Sequence, residues 1–157
     1  SRLRFGQINE VWREIESKIV FHFSEIWEEQ CRLFFIMNEI CGHRFLPGSR
    51  WWGGGTDGKP LEIDYVAESD DHKYLLIAEI KWSKKIVITD ILREMNRKIS
   101  LLPVIKGKSL IIAICIKDKT GISEDGVILV DAADVAGTRM ANDINTRENE
   151  ASKQNTN

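Results

Sequence analysis

Glu79 and Lys81 stand two residues apart in the run Tyr74-Leu75-Leu76-Ile77-Ala78-Glu79-Ile80-Lys81-Trp82. Two more carboxylates, Glu62 and Asp64, have the same spacing in Leu61-Glu62-Ile63-Asp64-Tyr65-Val66-Ala67. Side chains alternate across a strand, so Ile77, Glu79 and Lys81 share one face, and Glu62, Asp64 and Val66 share a face opposite Leu61, Ile63, Tyr65 and Ala67. A four-residue turn at Ser69 to His72 puts Glu62 opposite Glu79, with Asp64 as its diagonal neighbour, while a turn shifted by one residue on one side changes faces; either Glu62 or Asp64 is within reach. Carboxylates packed that closely repel unless they share a proton or a cation bridges them, and hard ions such as Mg²⁺ take oxygen ligands. A lysine two residues along the strand then sits where it can stabilise developing charge on a phosphate or help deprotonate an attacking water. An isolated Glu-X-Lys on an exposed strand is a surface ion pair of small worth. Here the carboxylates lie on strands whose other face is apolar, and a basic helix follows.

The elements that must position these groups are legible from periodicity. Apolar residues at Ile8, Val11, Trp12 and Ile15, and again from Ile26 to Ile40, recur mostly at three- and four-residue steps and predict helix. A helix is expected at about 24–41, stopped by Cys41-Gly42, with a break at the partly β-branched stretch Ile19 to Phe23. Trp51 and Trp52 end a short strand, and Gly53-Gly54-Gly55-Thr56-Asp57-Gly58 is turn chemistry that leads into a hairpin of 60–67 and 74–82. Gly53, Gly58 and Lys59 mimic a phosphate-binding loop, but Pro60 replaces its Ser/Thr and a strand follows where a helix is needed. Ile91, Leu92, Met95, Ile99 and Leu102 form one stripe of a helix over 88–102, capped by Thr89 or Asp90 and stopped by Pro103. Ser109 to Ile116 and Val127 to Val130 read as buried strands reached by a crossover. The order α-β-β-β-α-β-β is that of an α/β domain with a mixed sheet.

The 157 residues are the length of one domain, and 43% hydrophobic residues suffice for one core. Residues 1–23 read as a helical segment continuing from an upstream region, 24–138 as the domain, and 139–157 as a polar disordered tail. No apolar run reaches the roughly 18 residues of a membrane span. The chain opens at Ser1 with no charged-then-apolar leader, which reads as a piece of a longer polypeptide. Cys31, Cys41 and Cys115 are widely spaced and form no CxxC pair, which fits a reducing cytoplasm and neither a disulfide framework nor a zinc site. The net charge of −2 is unevenly spread: residues 61–80 carry six acids against Lys73, and residues 81–119 carry ten Lys or Arg against three acids. An acidic patch beside a basic one suits carboxylates holding a cation while lysines and arginines hold a polyanion. Lys84, Lys85, Arg93, Arg97 and Lys98 are the candidate nucleic-acid contacts, with Lys106 and Lys108 beyond them. Trp82 alternates onto the core side with Ile80, while Trp51 and Trp52 point to opposite sides, leaving one free to stack on bases.

The string from Trp51 to Lys85 resembles the nuclease-like domain at the C-terminus of archaeal-type ATPases, a family of unknown function within the PD-(D/E)XK nuclease superfamily. Its features are a Trp pair, E-I-D and E-(I/V)-K-W, met here by Trp51-Trp52, Glu62-Ile63-Asp64 and Glu79-Ile80-Lys81-Trp82. The resemblance covers roughly a fifth of the chain, and Ile63 replaces the nominal proline. It implies a restriction-endonuclease-like mixed β-sheet core flanked by helices. Asp64, Glu79 and Lys81 would be catalytic, with Glu28 of the first helix joining them ahead of Glu25 or Glu29. Asp64 and Glu79, with Glu62 beside them, would hold Mg²⁺ or Mn²⁺. It further implies DNA as substrate or ligand, and an ATPase module in the same polypeptide. A homodimer is a further expectation. The competing readings are a catalytically silent nuclease-like module that docks on or regulates the ATPase, and a self-association domain using exposed aromatic residues.

Overall fold

The computed structural model describes residues 2–83 and 85–138. A 36-residue helix, α1 (Arg2–Met37), leads into five strands: β1 (Ser49–Gly54), β2 (Pro60–Glu68), β3 (Tyr74–Ile80), β4 (Ser109–Cys115) and β5 (Ile128–Val130). Helix α2 (Ile88–Ser100) and a short 3-10 turn at Pro103–Ile105 connect β3 to β4, and residues 132–138 form a last helical segment, α3. The strands lie in chain order in one sheet, antiparallel from β1 to β3 and parallel from β3 to β5. The α/β class, the mixed sheet and the crossover helix are as the sequence indicates.

The sheet separates two apolar layers. On one side Trp27, Cys31 and Phe35 of α1 pack on Tyr65, Ala67, Leu76, Ala78 and Ile80; on the other Ile88 and Met95 of α2 pack on Leu61, Ile63, Leu75, Ile77 and Ile114. Leu61, Ile63, Tyr65 and Ala67 are all buried, yet they divide between the two layers. Strict alternation cannot do this. The β1–β2 register supplies the cause: Trp51 pairs with Ile63 and Ser49 with Val66, so one residue of β1 faces two of β2, Asp64 and Tyr65. That is a β-bulge, which turns the strand over and re-aims its side chains. Close by, Gly48 passes so near β2 that a Cβ there would lie 2.5 Å from the Val66 carbonyl oxygen, and its N–H donates to the Tyr65 hydroxyl at 3.3 Å.

Several boundaries differ from expectation. Helix α1 does not break at Ile19 to Phe23. It ends at Met37, where the Asn38 side-chain amide donates to the Phe34 carbonyl at 2.7 Å, and Cys41 and Gly42 instead take positive φ in a tight turn between Ile40 and His43. Helix α2 is capped by Val87 without a side-chain bond, so neither Thr89 nor Asp90 is its cap. The turn between β2 and β3 is four residues long, Asp70 to Lys73, one step later at both ends than expected. Ser69 already pairs across the hairpin, its N–H donating to the Tyr74 carbonyl at 3.0 Å and its hydroxyl accepting from the Tyr74 N–H at 2.9 Å. Segment α3 is an element that periodicity does not reveal. Asp131 starts it by accepting from the N–H groups of Ala133 and Asp134, both at 3.1 Å. The expected tail at 139–157, and Lys84, lie outside the described residues.

Candidate functional site

The β2–β3 ladder runs from Glu68↔Leu75 to Tyr65↔Ala78 and goes no further. Beyond Ala78 the chain of β3 stays bonded to β4, with the Lys81 N–H donating to the Cys115 carbonyl at 2.8 Å, so the two antiparallel strands part at the level of Asp64 and Glu79. The later turn makes Asp64, not Glu62, the residue level with Glu79. The Asp64 carboxylate fills the opening: Oδ2 accepts from the Ile80 N–H at 2.8 Å, replacing the lost ladder bond, and from Lys81 Nζ at 3.3 Å. The same ammonium donates to Glu79 Oε1 at 3.1 Å. The Asp64 and Glu79 carboxylates are therefore gathered around one ammonium.

Glu79 is 5% exposed, and a carboxylate so far out of water needs compensation. Lys81 supplies part of it. The rest comes from α2, where Lys98 reaches across the layer to place Nζ 2.9 Å from the same Oε1. Oε2 is buried and meets no hydrogen-bond partner among the described residues. Burial pulls the Lys81 pKa down, but the charges of Glu79 and Asp64 outweigh it, and the ammonium ends above its ordinary value. Lys98, expected on a nucleic-acid-binding face, has a side chain only 16% exposed and belongs to this cluster.

Glu28 and Glu62 are held by arginine. Glu62 precedes the bulge and faces the α1 side, where Arg50 of β1 forms an ion pair with it at 3.0 Å and donates to Glu28 at 2.5 Å; Arg32 also holds Glu28, at 2.9 Å. The Arg50 pKa is raised, first by its hydrogen bond to Glu28 and then by that residue's charge, with Glu62 and Asp64 adding to it against a cost of burial. Arg50 thus joins a second ionic group to the edge of the first. Neither Arg50 nor the inward reach of Lys98 is marked by local spacing, because both depend on which elements the fold sets side by side.

Among the described residues no three Asp, Glu, His or Cys side chains converge as a metal cluster. Mg²⁺ needs only one or two carboxylates and keeps several waters. The pair Asp64 and Glu79, with Oε2 of Glu79 open to a further bond, fits such an ion. Of the basic residues, Lys85, Arg93 and Arg97 are exposed, Arg93 pairing with Asp90 at 3.1 Å and Arg97 with Glu94 at 2.7 Å. Trp82 packs on Trp27 with ring centroids 5.3 Å apart and carries the Lys117 ammonium over its face. Trp51 is half-buried against the α2 layer, whereas Trp52 is 80% exposed beside a groove lined by Gly53, Gly58 and Leu61.

Residues 1–99 match the family model DUF234, archaeal and bacterial proteins of unknown function. The chain belongs to this family. The match takes in α1, the first three strands and nearly all of α2, and so every residue of the carboxylate–lysine cluster. No curated protein matches the chain. Among the described residues no helix is long and apolar enough to cross a membrane.

Proposed function

We propose that this member of DUF234 is a PD-(D/E)XK nuclease-like domain that hydrolyses DNA phosphodiesters, or binds DNA, with Mg²⁺ or Mn²⁺ held by Asp64 and Glu79. In this reading it forms part of a larger polypeptide that carries an ATPase module. One observation carries the proposal: Lys81 Nζ lies between Asp64 and Glu79 at 3.3 and 3.1 Å, where the strands part, and Glu79 keeps a buried oxygen with no partner among the described residues. An acidic pair with a lysine two residues on is what the resemblance to that superfamily leads one to expect.

When bound, the ion would neutralise the acidic pair and withdraw electron density from a phosphate oxygen. The residues of the chain have separable parts. Asp64 is oriented by the Ile80 N–H, and Glu79 by Lys98, so both carboxylates are fixed before any ligand arrives. Lys81 is 43% exposed at its side chain and can turn its ammonium from the carboxylates toward a phosphate, where positive charge stabilises the transition state. Lys85, Arg93 and Arg97 would take neighbouring phosphates, and Trp52 a base face.

A second reading, a catalytically silent module that docks on the ATPase, draws support from the same cluster: Lys81 and Lys98 already balance Asp64 and Glu79 charge for charge. Nicking of supercoiled DNA with Mg²⁺ or Mn²⁺ separates the two. On the nuclease reading the wild type nicks, and Lys81→Ala loses nicking while keeping metal binding; Glu79→Ala loses both. A wild type that neither nicks nor binds the ions leaves the silent module standing.

A further inference from the structure

The first two thirds of α1 carry an apolar surface with no use in the fold. The helix is about 54 Å long at about 1.5 Å per residue, but among its described side chains the buried ones begin at Trp27. From Val11 to Phe23 every side chain is exposed, including Trp12 at 64%. At about 100° per residue, Ile8, Trp12, Ile15, Ile19, Phe23 and Ile26 fall in a band about 80° wide, some 120° around the helix from the face that meets the sheet. β-Branched and aromatic residues are poor helix formers, and a helix exposed all round gains no packing to offset that. The segment needs something to lie against.

We propose that its occupant is a second copy of the same helix, packed antiparallel about a two-fold axis at the level of Ser17. Two observations select it. The stripe is self-complementary under that axis: Ile8 meets Ile26 of the other copy, Ile15 meets Ile19, and Trp12 comes within one residue of the level of Phe23. The spacing repeats after eleven residues, 8, 12, 15 and then 19, 23, 26, which keeps the seam nearly straight along the helix. The overlap 8–26 also stops where α1 begins to bury against its own sheet, so the two sheet domains sit at opposite ends. The covered area would be several hundred Å² per helix, the scale of the about 800 Å² per partner in a standard interface.

Sedimentation equilibrium on the 157-residue chain tests the proposal. A dimer is expected. Ile15→Asp with Ile19→Asp should weaken it by about 100-fold or more, with the near-ultraviolet circular dichroism of the sheet domain kept. Ser17→Asp, on the opposite side of α1, should leave the dimer intact, which guards against simple helix loss. In a Cys41→Ser background, oxidation of a mixture of Ile8→Cys and Ile26→Cys chains should cross-link the two species. Cross-linking of Ile8→Cys chains only to themselves would mean a parallel pair and overturn the arrangement. A wild type that stays monomeric, including one whose stripe binds anionic phospholipid vesicles instead, would overturn the proposal.

Discussion

Replacing Lys98 with methionine removes one of the two ammonium groups on Glu79 while keeping a side chain of similar length within the α2 layer. The bond at stake is 2.9 Å long, between side chains 16% and 6% exposed. A hydrogen bond to a charged group is worth about 1.5–3 kcal/mol, and stripping the sole partner from a buried ion costs about 3–5 kcal/mol. Lys81 remains 3.1 Å from the same oxygen, so the loss should sit near the lower figures, about 2 kcal/mol. Urea unfolding followed by tryptophan fluorescence measures it, and a double-mutant cycle with Glu79→Leu isolates the pair, with a coupling of about 1 kcal/mol or more expected. The same substitution removes a cation that competes for Glu79, so divalent ions should bind Lys98→Met more tightly than wild type. Additivity of the two substitutions to within about 0.3 kcal/mol would refute the reasoning, because it would mean that Lys98 does not compensate Glu79 at all.

Arg93→Ala with Arg97→Ala should weaken DNA binding and lower the slope of log K against log salt by about one for each phosphate left without its arginine, read by fluorescence polarisation; an unchanged slope would remove α2 from the interface. Asp134 should contribute to acid sensitivity. Burial alone would raise its pKa, but the Lys119 ammonium at 2.5 Å and the Asp131 N–H hold it below the usual range. A carboxyl depressed in the folded state adds stability above its unfolded pKa of about 3.9 and loses it as pH falls through the folded value. Asp134→Asn should therefore be less stable at neutral pH and flatten the stability curve in acid; an unchanged curve would discount the pair.

The sequence carries the site further than its surroundings. Alternation alone places Glu79 and Lys81 together, because β3 is regular and lies between paired neighbours. It fails for Glu62 and Asp64, since a bulge is set by the β1 pairing and not by anything within β2. The turn comes out one step early because Ser69 reads as turn chemistry while its backbone and hydroxyl both pair with Tyr74. Two β-branched residues in Ile19 to Phe23 argue for a break that α1 does not make, and the apolar stripe running through that stretch is the stronger signal. Lys98 looks like one more cation on a basic helix; only the seating of α2 on the sheet turns it toward Glu79. The short segment 132–138 has one local signal, Asp131 followed three residues later by Asp134, a cap with an acid in the first turn.

The central claim is that Asp64 and Glu79 form a cation site. Isothermal titration of Mn²⁺ and Mg²⁺ into the wild type, Asp64→Asn and Glu79→Gln tests it most directly. One ion per chain should bind the wild type and be lost or weakened about 10-fold or more in both variants, since each removes one of only two carboxylate ligands. Binding that is absent in the wild type, or equal in all three proteins, would contradict it.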